Sequence, residues 1–120
     1  MAKPLVVIGH RMGKGQQIAK GVEKAGGEAY VIPGMLADMK LGDVMNEKKA
    51  DIGLSFCGSG GAGAIQAGIK YHYKNRQQVV GAAAFGTAVR QGYQVIGGPF
   101  ADSEDIGEAV VNAWRETYGK

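Results

Sequence analysis

Leu5-Val6-Val7-Ile8-Gly9 is an unbroken apolar run rich in β-branched residues, followed by a glycine turn, Gly13-Lys14-Gly15, and then an amphipathic stretch. A run of this length without polar alternation predicts a strand buried on both faces, as in a parallel sheet covered by helices on each side. The pattern then recurs along the chain. Ile18, Ala19, Val22 and Ala25 mark one face of a first helix stopped by Gly26-Gly27, and Ala29–Ile32 reads as a second strand closed by Pro33-Gly34. Leu36, Met39, Leu41, Val44 and Met45 give residues 35–49 a helical pattern, and Asp51–Cys57 reads as the third strand. A third helix is expected over residues 64–73, a fourth strand over Val79–Phe85 and a short fifth over Tyr93–Gly97. The last helix is expected from Glu104 to Tyr118, its N-cap oxygen supplied by Asp102 or Ser103. The chain thus predicts a single α/β domain over residues 1–120. Its architecture is a three-layer α/β/α sandwich, Rossmann-like, with a mostly parallel five-stranded sheet and right-handed crossovers.

Composition fits one such core and excludes several other classes. The 120 residues are one domain's length, and 45% hydrophobic with 21% charged residues is globular rather than disordered. Twenty-one residues are glycine, against an average usage of about 7%, yet with three prolines and no Gly-X-Y period they do not make collagen. The net charge of +3 is scattered among acids, unlike the clustered basic stripe of a nucleic-acid binder, so no nucleic-acid partner is expected. A lone cysteine, the short apolar run after Met1-Ala2-Lys3-Pro4 and the lack of a segment near 18 apolar residues together predict a cytoplasmic protein. Neither His10 nor His72 has a partner at metal-ligand spacing, so neither a metal nor another cofactor is expected.

In open parallel sheets ligands bind beyond the carboxyl ends of the strands, which singles out the loops after the first and third strands. The second of these, Cys57-Gly58-Ser59-Gly60-Gly61-Ala62-Gly63, carries four glycines between a strand and a helix. Gly58, Gly60, Gly61 and Gly63 let successive N–H groups turn inward while the helix adds its positive end, a combination that cradles an anion. The same glycines also serve a tight turn or close helix packing. Gly58, Gly60 and Gly63 spell G-x-G-x-x-G, but residues 75–81 hold no acid to grip a ribose, and no Lys-Ser or Lys-Thr pair makes a P-loop. Cys57 stands at the cradle's mouth, either as a thiolate base or nucleophile or as a small buried hydrophobe. Ser59 either donates to a ligand or caps the helix. On the first loop His10, Arg11 and Lys14 bring an imidazole and two cations to the same edge, suited to a phosphate or carboxylate, or form a solvated basic turn.

Ser55-Phe56-Cys57-Gly58-Ser59 in a glycine-rich chain of this length resembles the signature of the bacterial glycine-rich SFCGS family. That resemblance spans the chain and implies a catabolic or transport-associated role, with a membrane transport component as a partner. Ala50-Asp51-Ile52-Gly53-Leu54 through Cys57-Gly58-Ser59-Gly60, with Ile65 and Ala67, also resembles the third-strand motif of the ribose-5-phosphate isomerase B and galactose-6-phosphate isomerase group. This second resemblance implies that Cys57 is the base moving a proton between adjacent sugar carbons. Ser59 would then replace a threonine, and the amides of Gly58 to Gly61 would hold the enediolate oxygen. The group's Asp-His on the first loop is replaced by His10-Arg11, and its ring-opening histidine after the fourth strand has no counterpart in Ala82–Thr87. Its basic C-terminal tail is reduced to Arg115 and Lys120. The expected partner is a small anionic metabolite. A homodimer or higher oligomer is also expected, formed through Tyr71-His72-Tyr73 or Gly81–Phe85.

Overall fold

The alternation read from the sequence folds as five parallel strands between two layers of helices, in a computed structural model that describes residues 3–119. Met1, Ala2 and Lys120 lie outside the described residues. In chain order the elements are β1 (Leu5–His10), α1 (Gln16–Lys24), β2 (Glu28–Val31), a 3-10 turn (Ala37–Lys40), α2 (Leu41–Lys48) and β3 (Ile52–Phe56). There follow α3 (Ala62–Tyr71), β4 (Asn75–Arg76), α4 (Ala82–Arg90), β5 (Val95–Gly98) and α5 (Glu104–Tyr118). The sheet order is β2-β1-β3-β5-β4 with every pair parallel. One face, carrying Val6, Ile8, Leu54, Phe56 and Ile96, packs under α1, α4 and α5. The other, carrying Val7 and Val95, packs under the 3-10 turn, α2 and α3. Among the described residues no helix is long and apolar enough to cross a membrane.

The fourth strand is not where the apolar run put it. Val79 and Val80 lie in the loop after the two-residue β4, and Ala82-Ala83-Ala84-Phe85 is the first turn of α4. Alanine has the highest helix propensity, and Gly81 at φ 91° turns the chain into the helix with only Phe85 of that turn fully buried. The segment considered for an oligomer contact is thus a helix start, with Ala83 and Ala84 exposed. The third helix begins two residues earlier than expected and ends at Tyr71, where His72 takes up the left-handed conformation.

Close backbone contacts set the packing on each face of the sheet, and they depend on glycine. On the first face α1 crosses α5 where Gly21 meets Gly107: a Cβ at Gly107 would lie 2.6 Å from the Val22 nitrogen, and one at Gly21 would strike the backbone of Glu104. On the second face Gly9, Ser55 and Gly97 stand in register on three adjacent strands. A Cβ at Gly9 would lie 2.9 Å from the Ala37 oxygen, and one at Gly97 2.7 Å from the Gly61 Cα. The 3-10 turn and the N-terminus of α3 therefore rest on the sheet backbone itself. Arg115 of α5 completes the first layer by donating to the carbonyls of Ala25 and Gly26, which end α1. Gly107→Ala is expected to cost about 1–3 kcal/mol, the range of core overpacking, read as a lower denaturant midpoint. A stability equal to that of the parent chain would show that the helices can separate freely.

Candidate functional site

β1 ends at His10 and β3 at Phe56, paired in register, and the chain leaves them in opposite directions. β1 leads to β2 at one edge and β3 leads to β4 at the other, so their carboxyl ends diverge and open a crevice. The Arg11 N–H donates to the Phe56 carbonyl at 2.8 Å and ties the two loops at its floor.

Cys57 follows β3 directly. Its Sγ accepts the N–H groups of Gly61 and Ala62, each at 3.3 Å, and lies 3.1 Å from Ser59 Oγ. Gly60 and Gly61, at φ 86° and 105°, make the turn that aims these amides inward, a conformation strained for any residue with a side chain. The sulfur therefore sits on the positive end of α3. Burial pushes the Cys57 thiol up, but the Ser59 hydroxyl and the N–H groups of Ala62, Gly61 and Ser59 outweigh it, and the net shift is downward. Cys57 is 1% exposed, whereas Gly58 and Ser59 beside it are open to solvent. The loop is a cradle, and the anion it suits is the protein's own sulfur. Gly63 faces the sheet rather than the crevice, since a Cβ there would lie 2.7 Å from Ser55 Oγ.

On the first loop the three polar residues separate. His10 is buried between the rings of Phe56 and Phe100, and its Nδ1 accepts the Met12 N–H at 3.0 Å, leaving Nε2 to carry the proton of the neutral ring. Burial holds its pKa below the ordinary histidine value, against the opposing pull of Asp102. Arg11 is gripped side-on by Asp38, Nε to Oδ1 at 3.0 Å and Nη2 to Oδ2 at 2.8 Å. The Asp38 side chain is wholly buried on the 3-10 turn while that of Arg11 remains 34% exposed, so one edge of the guanidinium still faces outward. Lys14 is exposed and lines a cavity of about 290 Å³ with His10, Met12, Phe100 and Asp102. Phe100 joins this cavity to the Cys57 loop, since its ring edge would lie 3.3 Å from a Cβ at Gly58.

Three residues matter here that the motifs did not single out for this edge. Asp38 has one sequence signal, an acid alone among Met35, Leu36, Ala37 and Met39. Asp102 was expected to cap α5, but its Oδ1 instead accepts the N–H groups of Gln17 and Ile18, at 3.0 Å each, and caps α1. Ser103, at the N-cap position of α5, makes no side-chain bond there. Gln78, at φ 63°, braces the cysteine loop by donating its backbone N–H to the Gly60 carbonyl at 2.9 Å and Nε2 to the Ser59 carbonyl at 3.0 Å. Nothing in its sequence context announces that role. Among the described residues no three His, Cys, Asp or Glu side chains converge as a metal site would require, and His72 is exposed at the end of α3.

The fold is that of the type B ribose 5-phosphate isomerases. The enzyme of Trypanosoma brucei superposes with a TM-score of 0.70 at 18% identity, over 97% of this chain and 87% of that one. Ribose-5-phosphate isomerase B of Giardia lamblia gives 0.63 at 12% identity over 95% of each chain. No curated protein matches the sequence significantly. The glycine-rich SFCGS family model matches residues 5–117, which include the Cys57 loop, and the chain belongs to that family.

Proposed function

We propose that the chain binds a small phosphorylated or carboxylated sugar-like metabolite in the crevice between β1 and β3, and that Cys57 moves a proton between adjacent carbons of it. The observation that carries this reading is the sulfur's setting, two amides and a hydroxyl converging on Sγ at a helix N-terminus. A sulfur so held gives up its proton more readily than a free thiol and can serve as a base. The thiolate takes the proton of a hydroxyl-bearing carbon next to a carbonyl, leaving an enediolate; the hydroxyl proton crosses from one ligand oxygen to the other, and the thiol returns its proton to the neighbouring carbon. Ser59 is the exposed group on the sulfur, so the ligand enters by displacing its hydroxyl. Lys14 and the free edge of Arg11 supply positive charge for the ligand's anionic end. The residues after β4, Gln77 to Gly81, include no histidine to open a sugar ring, which favours an open-chain ligand.

The burial of Cys57 favours a second reading, binding without turnover. Exchange separates the two. The first reading expects the ligand's carbon-bound proton to wash out into deuterated water, followed by NMR, and Cys57→Ser to abolish this while changing affinity by no more than roughly threefold. Binding with no exchange in the parent chain would leave only the second.

The lowered thiol pKa has a direct consequence. Thiolate absorbance in the ultraviolet, unambiguous in a chain with one cysteine, should persist as pH falls below the midpoint of a free thiol and disappear only at the lower, folded-state value. Ser59→Ala should move that midpoint upward, because the Ser59 hydroxyl is the largest of the groups lowering it. An unmoved midpoint would remove Ser59 from the site. Arg11→Lys keeps the charge but loses the fork held by Asp38, and should weaken binding roughly tenfold, the worth of one charge-assisted hydrogen bond, by calorimetry with an open-chain sugar-acid phosphate.

A further inference from the structure

The amino edge of the sheet, at the opposite end of β3 from Cys57, holds a separate cavity of about 270 Å³. Its walls are aromatic. Tyr93 enters just before β5, and Trp114 and Tyr118 lie one turn apart on α5. The Trp114 and Tyr118 ring centroids are 5.7 Å apart with planes tilted by 47°, an open corner rather than a stack. Tyr118 is half exposed although it is large and aromatic. Asp51, just ahead of β3, is the charged member of the lining. Its Oδ2 accepts the Leu5 N–H at 2.8 Å, which fixes the carboxylate, while Oδ1 takes no hydrogen bond among the described residues.

Tyr93 already serves as a platform for the protein's own cations, with Lys74 Nζ 4.7 Å and the Arg76 guanidinium 5.9 Å from its ring centroid. Lys74 Nζ is also tied to the Gln91 carbonyl at 2.9 Å. Among the described residues neither Trp114 nor Tyr118 carries such a cation. Electron-rich faces attract cations, tryptophan most strongly, and a fixed carboxylate beside them adds charge complementarity. An anion would meet Asp51, and a neutral apolar molecule would gain nothing from it.

The geometry points to a binding site for a small organic cation of the substituted-ammonium class, its alkyl groups against Trp114 and Tyr118 and its charge toward Asp51. The site stands apart from the Cys57 crevice and does not depend on any reaction there. Trp114 is the chain's one tryptophan, so its fluorescence reports directly on occupancy. Choline should give a saturable fluorescence change that sodium chloride at equal ionic strength does not. Its neutral isostere, with a quaternary carbon in place of nitrogen, should bind at least about tenfold more weakly. Asp51→Asn should weaken choline by about the same factor. If that variant fails to fold, Tyr118→Ala, a change at a half-exposed position near the end of α5, should weaken choline severalfold. No saturable choline signal, equal binding of the isostere, or unchanged affinity in the folded variants would overturn the proposal.

Discussion

The contact on which the site rests is the bare patch of sheet formed by Gly9, Ser55 and Gly97. Side chains at the glycine positions would hold the 3-10 turn and α3 several ångströms off the strands, as helices on sheets usually sit. Without them backbone meets backbone, and α3 begins directly above β5 with Gly61 against Gly97. That seating brings the Gly61 and Ala62 amides to the sulfur at the end of β3. It also lowers the 3-10 turn until Asp38 is buried close enough to grip Arg11. Close packing of this kind tolerates little adjustment, so thiol, carboxylate and guanidinium are fixed by the same few atoms.

The buried Asp38–Arg11 pair follows from that geometry. A carboxylate removed from water is strongly unfavourable unless paired, and here the guanidinium supplies a two-point contact. The pairing fixes the direction of Arg11 as well as neutralising Asp38. A flexible surface arginine would lose rotamer freedom on meeting a ligand, whereas one held along its Nε–Nη2 edge has already lost it.

Much of the fold was legible because burial on both faces writes itself as continuous apolar runs, as in Leu5–Ile8, and helices as spaced ones, as in Ile18 and Val22. The same rule failed at Val79–Phe85. A short apolar run reads alike as a buried strand or a helix start, and the alanines decide for helix only once Gly81 is known to turn the chain. The two loops were visible through their glycines and charges, and Cys57 through its place at a strand end. Asp102 was recognisable as a capping residue, but not the helix it serves, because its partners Gln17 and Ile18 lie more than eighty residues away. Gly60 and Gly61 shape the cysteine loop as their motif predicts. Several glycines, among them Gly9, Gly21, Gly97 and Gly107, are instead where helices touch other backbone.

Asp102 gives the carboxyl edge one further property. Helix N-termini there are natural landing places for inorganic phosphate and sulfate, but α1 already carries a carboxylate on the Gln17 and Ile18 amides and α3 a sulfur on those of Gly61 and Ala62. Both seats are occupied from within the chain. A simple oxyanion approaching those amides meets a carboxylate at α1 and a sulfur at α3, and discrimination passes to molecules large enough to reach Arg11 and Lys14 together.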